Sequence, residues 1–288
     1  MGKRLSLFNV TIHTGFIVLC VLFLLPLFVV LSVSLTDEQS IFQTGYSVIP
    51  RDFSLNAYIY ILSGQSPILR AYLVTAVVTV AGTFLHLAIS SMFAYSLSRP
   101  EVKYRHIASF LVVFCLLFSG GLVPWYILLS KYLHLKDTLF VLIFPYLVSS
   151  VNVIIMRIFF QTTVPSSIIE SARIDGSGEF HTFRKIVLPL STPVLATIGL
   201  FTAVFFWNDW FTASLLIENS KLYPLQFLLQ SIMNNIAFLQ SNPLTAKAAA
   251  MQPDETARMA TCILSVGPII LAYPFLQKYF VKGLTLGA

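Results

Sequence analysis

The chain has 288 residues, of which 57% are hydrophobic and only 10% charged, with 25 Phe and a formal net charge of +6. Soluble domains carry about 25% charged residues, and a globule this poor in charge would leave large apolar patches in water. A mean hydropathy of +0.82 therefore excludes a soluble globule, and it excludes disorder, which needs low hydrophobicity and high charge.

A membrane-spanning helix needs about 20 mostly apolar residues. Six stretches qualify: 11–35, 70–96, 106–130, 138–160, 188–210 and 259–280. A transmembrane barrel would instead show a series of alternating segments of about ten residues, and none occurs. The expected fold is all-α, a polytopic membrane protein with six transmembrane helices. The first span follows Lys3 and Arg4 as a secretory leader would, and Ser32-Val33-Ser34 faintly resembles a cleavage site. Its apolar run from Gly15 to Leu35 exceeds the roughly 7–15 residues of a leader core, so a retained span is expected. Cys20, Cys115 and Cys262 fall inside apolar stretches without paired spacing, which offers neither a disulfide framework nor a metal site.

Orientation follows from the placement of Lys and Arg. If the N-terminus, the 97–106 loop, the 157–187 loop and the C-terminus share a side, that side holds eleven of the 18 basic residues. Both termini are therefore expected in the cytoplasm, and the positive charge needs no nucleic acid to explain it. The chain then divides into residues 1–69 (first helix and outer loop), a transmembrane domain over 70–281, and a cytoplasmic tail over 282–288. The transmembrane domain carries a cytoplasmic loop at 161–190 and an outer loop at 211–257.

In the inner loop, Pro165 stops the preceding span. Ser167 with Glu170 three residues on reads as a capping box, and Ile168, Ile169 and Ala172 give the short helix an apolar side. Gly176 is placed to end it in the left-handed conformation. Ser177 can cap a second short helix carrying Phe180, Phe183 and Ile186, with Pro189 just inside the fifth span. The product is a helix–turn–helix bracket, although an ordinary amphipathic linker fits the same periodicity. In the 211–257 loop, Leu222 to Ile232 is apolar for only about eleven residues, which suits an interfacial segment. Asn234 to Glu255, with Pro243 and Pro253, reads as an exposed excursion.

The bracket also carries a longer pattern. Glu170-Ser171-Ala172, then Gly176 preceded by Asp175, then Ile186-Val187-Leu188-Pro189 resembles the EAA loop of binding-protein-dependent ABC importer permeases. That pattern is E-A-A, three residues, G, nine residues, I-x-L-P, and Ser171 in place of the first Ala is the one departure. Asn56-Ala57-Tyr58, Leu135-Lys136-Asp137-Thr138, Trp207-Asn208-Asp209-Trp210 and the terminal Gly283-Leu284-Thr285-Leu286-Gly287-Ala288 are similar to the carbohydrate-uptake branch, of which the maltose-importer permease is a member. Within it, the chain looks most like importers of oligo- or polysaccharides such as alginate and other uronate glycans.

The resemblance implies a type I ABC importer permease fold in the inner membrane of a bacterium. It implies a second permease as heterodimer partner, an ATPase dimer that binds ATP and Mg, and an extracytoplasmic solute-binding protein that delivers the carbohydrate. Glu170, Ala172, Arg173, Asp175 and Gly176 would then form the coupling segment seated on the ATPase, and Asn234 to Glu255 would reach toward the binding protein. The chain itself has no G-x-x-x-x-G-K phosphate loop, so it reads as a non-catalytic subunit without a cofactor of its own.

For the cargo path the candidates are Trp207, Asn208 and Asp209, where aromatic faces stand beside hydroxyl-binding groups, and Asn152 inside span four. Helical spacing would put Trp207 and Trp210 on one side, with Trp210 at the outer rim. An interfacial aromatic belt is the alternative for this cluster, and interhelical bonding the alternative for Asn152. His86 in span two reads as packing. A secondary transporter driven by an ion gradient is the rival function, but it would place ionisable residues at mid-membrane, and these spans carry almost none. An intramembrane enzyme would need clustered acid–base or metal-binding groups, and none share a depth.

Overall fold

The computed structural model describes residues 7–62, 67–241, 255–268 and 270. The end of the sixth predicted span, the 282–288 tail and residues 242–254 of the large outer loop lie outside the described residues. The described chain is helical and contains no strand; Thr36 and Phe53 form an isolated antiparallel bridge. It falls into two compact units, one within residues 1–69 and 231–268, the other containing 70–230.

In the first unit, α1 (Leu7–Ser34) has 28 residues. At about 1.5 Å per residue it is long enough for a hydrocarbon core of about 30 Å. Its apolar side chains stand outward, Phe23 at 76% exposure, as a helix facing lipid requires. The chain then folds back on the end of α1: Asp37 N donates to Asp52 O at 2.9 Å, Ser54 N to Leu35 O at 2.9 Å, and the Ser34 and Tyr58 hydroxyls meet at 2.9 Å. Two short helices follow, α2 (Glu38–Thr44), capped by Asp37, and α3 (Asn56–Leu62). Glu38 accepts from Glu255 N at 3.2 Å, from Thr256 N at 3.0 Å and from the Thr256 hydroxyl. These amides open the 255–268 helix, and a carboxylate there satisfies donors that have no partner within the helix.

The second unit is built on α4 (Pro67–Ser98), 32 residues long. α1 and α4 are the two described helices long and apolar enough to cross a membrane alone, and three bent pairs bring the possible total to five. The predicted span 106–130 is not one rod: α5 (Arg105–Leu117) and α6 (Leu122–Ile127), extended by a π-turn to Tyr132, meet at 114°. Between them Phe118 is extended and Ser119-Gly120-Gly121 follows, a run with weak helix propensity. Predicted span 138–160 consists of two 3₁₀ turns, Leu139–Leu142 and Phe144–Tyr146, bent by 49° against α7 (Ser150–Thr163). Pro145 cannot donate to a helical ladder there.

The inner loop holds α8 (Ser166–Ile174) and α9 (Glu179–Thr182), the latter continuing through a π-turn into α10 (Leu188–Leu190). This rod meets α11 (Thr192–Asn208) at 81°. The straight helix of the fifth predicted span thus begins at Thr192 after a bend, because Pro189 and Pro193 flank Ser191 and both lack a donor. After α12 (Phe211–Leu216), α13 (Leu225–Ser241) runs for 17 residues. It is longer than the interfacial piece expected at 222–232 and takes in the start of the expected excursion. Two apolar cores hold the unit: one around Tyr95, Val153, Met156, Phe160, Val187 and Ile198, the other around Val78, Leu129, Val141, Phe206 and Leu216.

Candidate functional site

The bracket begins differently from the capping-box expectation. Pro165 occupies the N-cap of α8 and no side chain caps the helix, since its fixed φ already directs the chain into the helix. The other end matches the expectation. Gly176 has φ +79°, its N–H donates to Arg173 O at 3.0 Å, and Ser177 N donates to Ala172 O at 2.9 Å. This pair of bonds is a Schellman cap. Ser177 does not cap α9, whose N-cap is Gly178; its hydroxyl instead meets that of Thr182 at 3.1 Å.

Ile169 and Ala172 are buried, whereas Ile168 turns outward, so the apolar side of α8 is narrower than its sequence suggests. Glu170, Asp175 and Gly176 are exposed, and so are Ile174 at 86% and Phe180 at 67%. Arg173 instead makes ion pairs at the surface of the protein. Its guanidinium donates to Glu101 Oε1 at 2.7 Å and twice to Glu179 Oε1, at 2.7 and 3.0 Å. Glu179 Oε2 in turn accepts from the Tyr95 hydroxyl at 3.0 Å, and Arg99 lies over the Tyr95 ring at 4.9 Å. The Arg173 hydrogen bond holds the Glu101 carboxyl below its usual range, and the two carboxylates raise Arg173. Glu101 and Glu179 escaped the sequence reading because one lies 72 residues from Arg173; a lone acid in the basic 97–106 loop was the available signal.

The four path candidates divide. Trp207 is buried, its ring edge-on to Tyr72 at 5.5 Å. Asn208 is exposed and donates to Val204 O at 2.8 Å. Asp209 is extended and accepts from Thr212 N at 3.1 Å, opening α12. Because α11 ends at Asn208, the helical spacing that would align Trp207 with Trp210 does not apply. Trp210 stands edge-on to Phe211 at 5.9 Å instead.

Asn152 lies elsewhere, in a cleft of about 250 Å³ whose walls include His86 from α4, Ser149 and Asn152 at the start of α7, Tyr146, and Thr202 and Phe205 from α11. Asn152 Nδ2 donates to His86 Nε2 at 2.9 Å, and His86 Nδ1 donates to Tyr146 O at 2.8 Å. His86 is therefore a polar link and more than packing. An acceptor at Nε2 and a donor at Nδ1 together define one neutral tautomer. The Tyr146 hydroxyl meets Thr212 Oγ1 at 2.7 Å. Tyr146 also lines a second cavity of about 520 Å³ with Gly120, Gly121, Trp125 and Phe211. Tyr146 and Thr202 were not singled out in sequence, since a Tyr after Pro145 and a Thr within an apolar helix are common. The 135–138 stretch also gains a physical role: Asp137 Oδ1 accepts from Glu218 N and Asn219 N at 3.1 and 2.8 Å, and Lys136 pairs with Glu218.

Residues 15–286 match the family described as the binding-protein-dependent transport system inner membrane component. The chain belongs to that family. It is similar to the polygalacturonan/rhamnogalacturonan transport system permease protein YtcP of Bacillus subtilis (strain 168), 39% identical over 98% of each chain. Protein LplC of the same organism is 38% identical over 92% of this chain and 88% of its own. The arabinooligosaccharides transport system permease protein AraQ, also from that strain, is 26% identical over 99% of this chain and 97% of its own. A chain in the crystal structure of a bacterial ABC transporter involved in the import of the acidic polysaccharide alginate superposes with a TM-score of 0.85, at 28% identity, covering 97% of this chain and 99% of that one. The permease thus has the type I ABC importer fold and is a multi-pass, non-catalytic component of the bacterial inner membrane. Its family works with another permease, an ATPase and a solute-binding protein.

Proposed function

We propose that this permease is one half of a heterodimeric path that imports a uronate-containing oligo- or polysaccharide. The observation that carries this reading is likeness over nearly the whole chain to two systems named for acidic glycans, polygalacturonan/rhamnogalacturonan and alginate. Six spans with both termini in the cytoplasm fit the basic-residue pattern and the five candidate spans, with the 255–268 helix leading into the sixth. The α8–α9 bracket, residues Glu170, Ala172, Arg173, Asp175 and Gly176 among them, seats on the ATPase dimer, which holds ATP and Mg. Exposed Ile174 and Phe180 supply an apolar tip for that contact, and Arg173 holds the tip against the 99–101 loop. Asn152 lines the path, and Trp207, Asn208 and Asp209 form its wall where α11 ends.

The test is ATPase activity of the reconstituted complex with its binding protein, in the presence of oligogalacturonides, rhamnogalacturonan fragments, alginate oligomers or neutral maltooligosaccharides. Stimulation by one of the acidic glycans is the expected result. Stimulation by the neutral set alone, or by none of the glycans, would overturn the reading.

A further inference from the structure

Arg157 stands inside the predicted span 138–160 with no acid to meet it. From Arg157 to Thr163, the end of α7, the helix rises about 9 Å, and the chain then enters the bracket. The side chain is half-buried. Its Nη1 donates to Ser109 Oγ at 3.0 Å, and Ser109 itself donates to Arg105 O at 2.6 Å. Nε is enclosed without a partner, whereas Nη2, also without one, is not enclosed. Among the described residues no carboxylate lies within ion-pair distance of Arg157 or Arg105. A cation within a span is costly unless it is paired, and a single hydroxyl does not neutralise it.

The neighbours point to the source of the anion. The bond to Ser109 puts Arg157 on the face of α5 that Arg105 opens, since Arg105 and Ser109 are four residues apart. Arg105 Nε donates to His106 Nε2 at 3.3 Å, and its terminal nitrogens have no partner among the described residues. Lys103, over the Tyr104 ring at 5.6 Å, adds a third cation just before the helix. α5 and α7 pack together through Ala108, Val112, Val153, Met156 and Phe160. Beside the cations they expose Ile107, Phe110 and Ile158. A cationic strip bordered by exposed apolar side chains matches a phospholipid, its phosphate at the arginines and its acyl chains along the apolar border. Basic pockets between spanning helices bind acidic head groups in this way. A soluble acidic partner would leave the apolar border uncovered.

We infer that α5 and α7 form a binding site for an anionic phospholipid, whose phosphate is held by Arg157 and Arg105. Ser109 positions the Arg157 guanidinium by taking up Nη1, which leaves Nη2 for the phosphate. The inference does not depend on which glycan is carried.

The experiment is native mass spectrometry of the full complex, titrated in detergent with phosphatidylglycerol or phosphatidylcholine. The wild-type complex should retain phosphatidylglycerol in preference to the zwitterionic lipid. Arg157→Gln and Arg105→Gln should each weaken phosphatidylglycerol binding by roughly fivefold, equivalent to about 1 kcal/mol per basic residue. Lys221→Gln, which removes an exposed charge from the outer loop, should leave binding at the wild-type level. Should Arg157→Gln fail to assemble, Arg105→Gln decides, since it changes only the first residue of α5. Equal binding by wild type and the arginine variants overturns the site. Displacement of the lipid by inorganic phosphate would assign the arginines to a soluble anion. Loss of the second permease from a variant whose lipid binding stays at the wild-type level would assign them to an acid of that partner. Either result also overturns the inference.

Discussion

Gly176 holds φ at +79° with open space where a Cβ would stand, so its need for Gly is conformational and not steric. A β-branched residue is strained there, by about 1–3 kcal/mol. Gly176→Val should therefore shift the Schellman turn and lower cargo-stimulated ATPase by on the order of tenfold, taking about 1.4 kcal/mol per decade, while the complex still assembles. Wild-type stimulation would reduce the bracket to a linker. The Arg173 triad gives a pH dependence with a definite sign. Glu101 is held below its usual value of 4.5 by Arg173, so its contribution is complete above that value and is lost as pH falls through the lower folded value. Hydrogen exchange of residues 166–182 should be flat from neutral pH to about 5 and accelerate in stronger acid, apart from the intrinsic rate. Glu101→Gln should show faster exchange already at neutral pH and a weaker acid response; equal protection in wild type and variant would remove the triad as a clamp. Gly176 was legible as a cap from its place after a short apolar helix. The partners of Arg173 were not, because a guanidinium's choice among distant acids depends on how the helices pack.

Between elements, α4 and α11 cross closely at two glycines. A Cβ at Gly82 would meet the Phe206 ring at 2.7–3.0 Å, and one at Gly199 would meet Leu87 Cδ1 at 3.1 Å. Small residues let helix backbones approach in membranes, where packing and not water exclusion drives association. Phe206 is only 2% exposed and its ring has little room to move, so Gly82→Ala should destabilise the complex by about 1–3 kcal/mol. Gly199→Ala should cost less, since the tip of a Leu side chain can turn aside. Thermal unfolding of the purified complex measures both, and equal midpoints for wild type and Gly82→Ala would contradict the crossing. Composition located the apolar stretches behind these helices but not their bends. A hydropathy window sums across Gly120-Gly121 and Pro145 without registering that the ladder breaks there, and 114° and 49° turns result. Bent elements at membrane depth are tolerated where protein covers the freed backbone groups, so the bends belong to the packed molecule.

For the whole molecule, charge poverty and apolar runs were enough to place the chain in a membrane, because burying or hydrating so many Phe, Leu and Ile side chains in water is prohibitive. The spacing of Pro165, Gly176 and Pro189 marked a bracket, since a helix start, a turn and a helix entry each favour a residue type at a fixed offset, and it was the resemblance of that stretch to the EAA loop that pointed to the family. The same local logic could not give the surroundings of the path candidates. It singled out Trp207, Asn208 and Asp209 for their chemistry; that Trp207 lies against Tyr72 and Asp209 opens α12 follows from packing. It read His86 as packing, whereas His86 links Asn152 to the Tyr146 carbonyl, an arrangement that exists only once α4 and α7 have met. Sequence by itself determined the class of protein, the short elements and the left-handed cap, all of which depend on neighbours within a few residues. Tertiary structure alone decided where the spans bend, which acids clamp Arg173 and which polar groups remain free, because each depends on atoms brought together from distant parts of the chain.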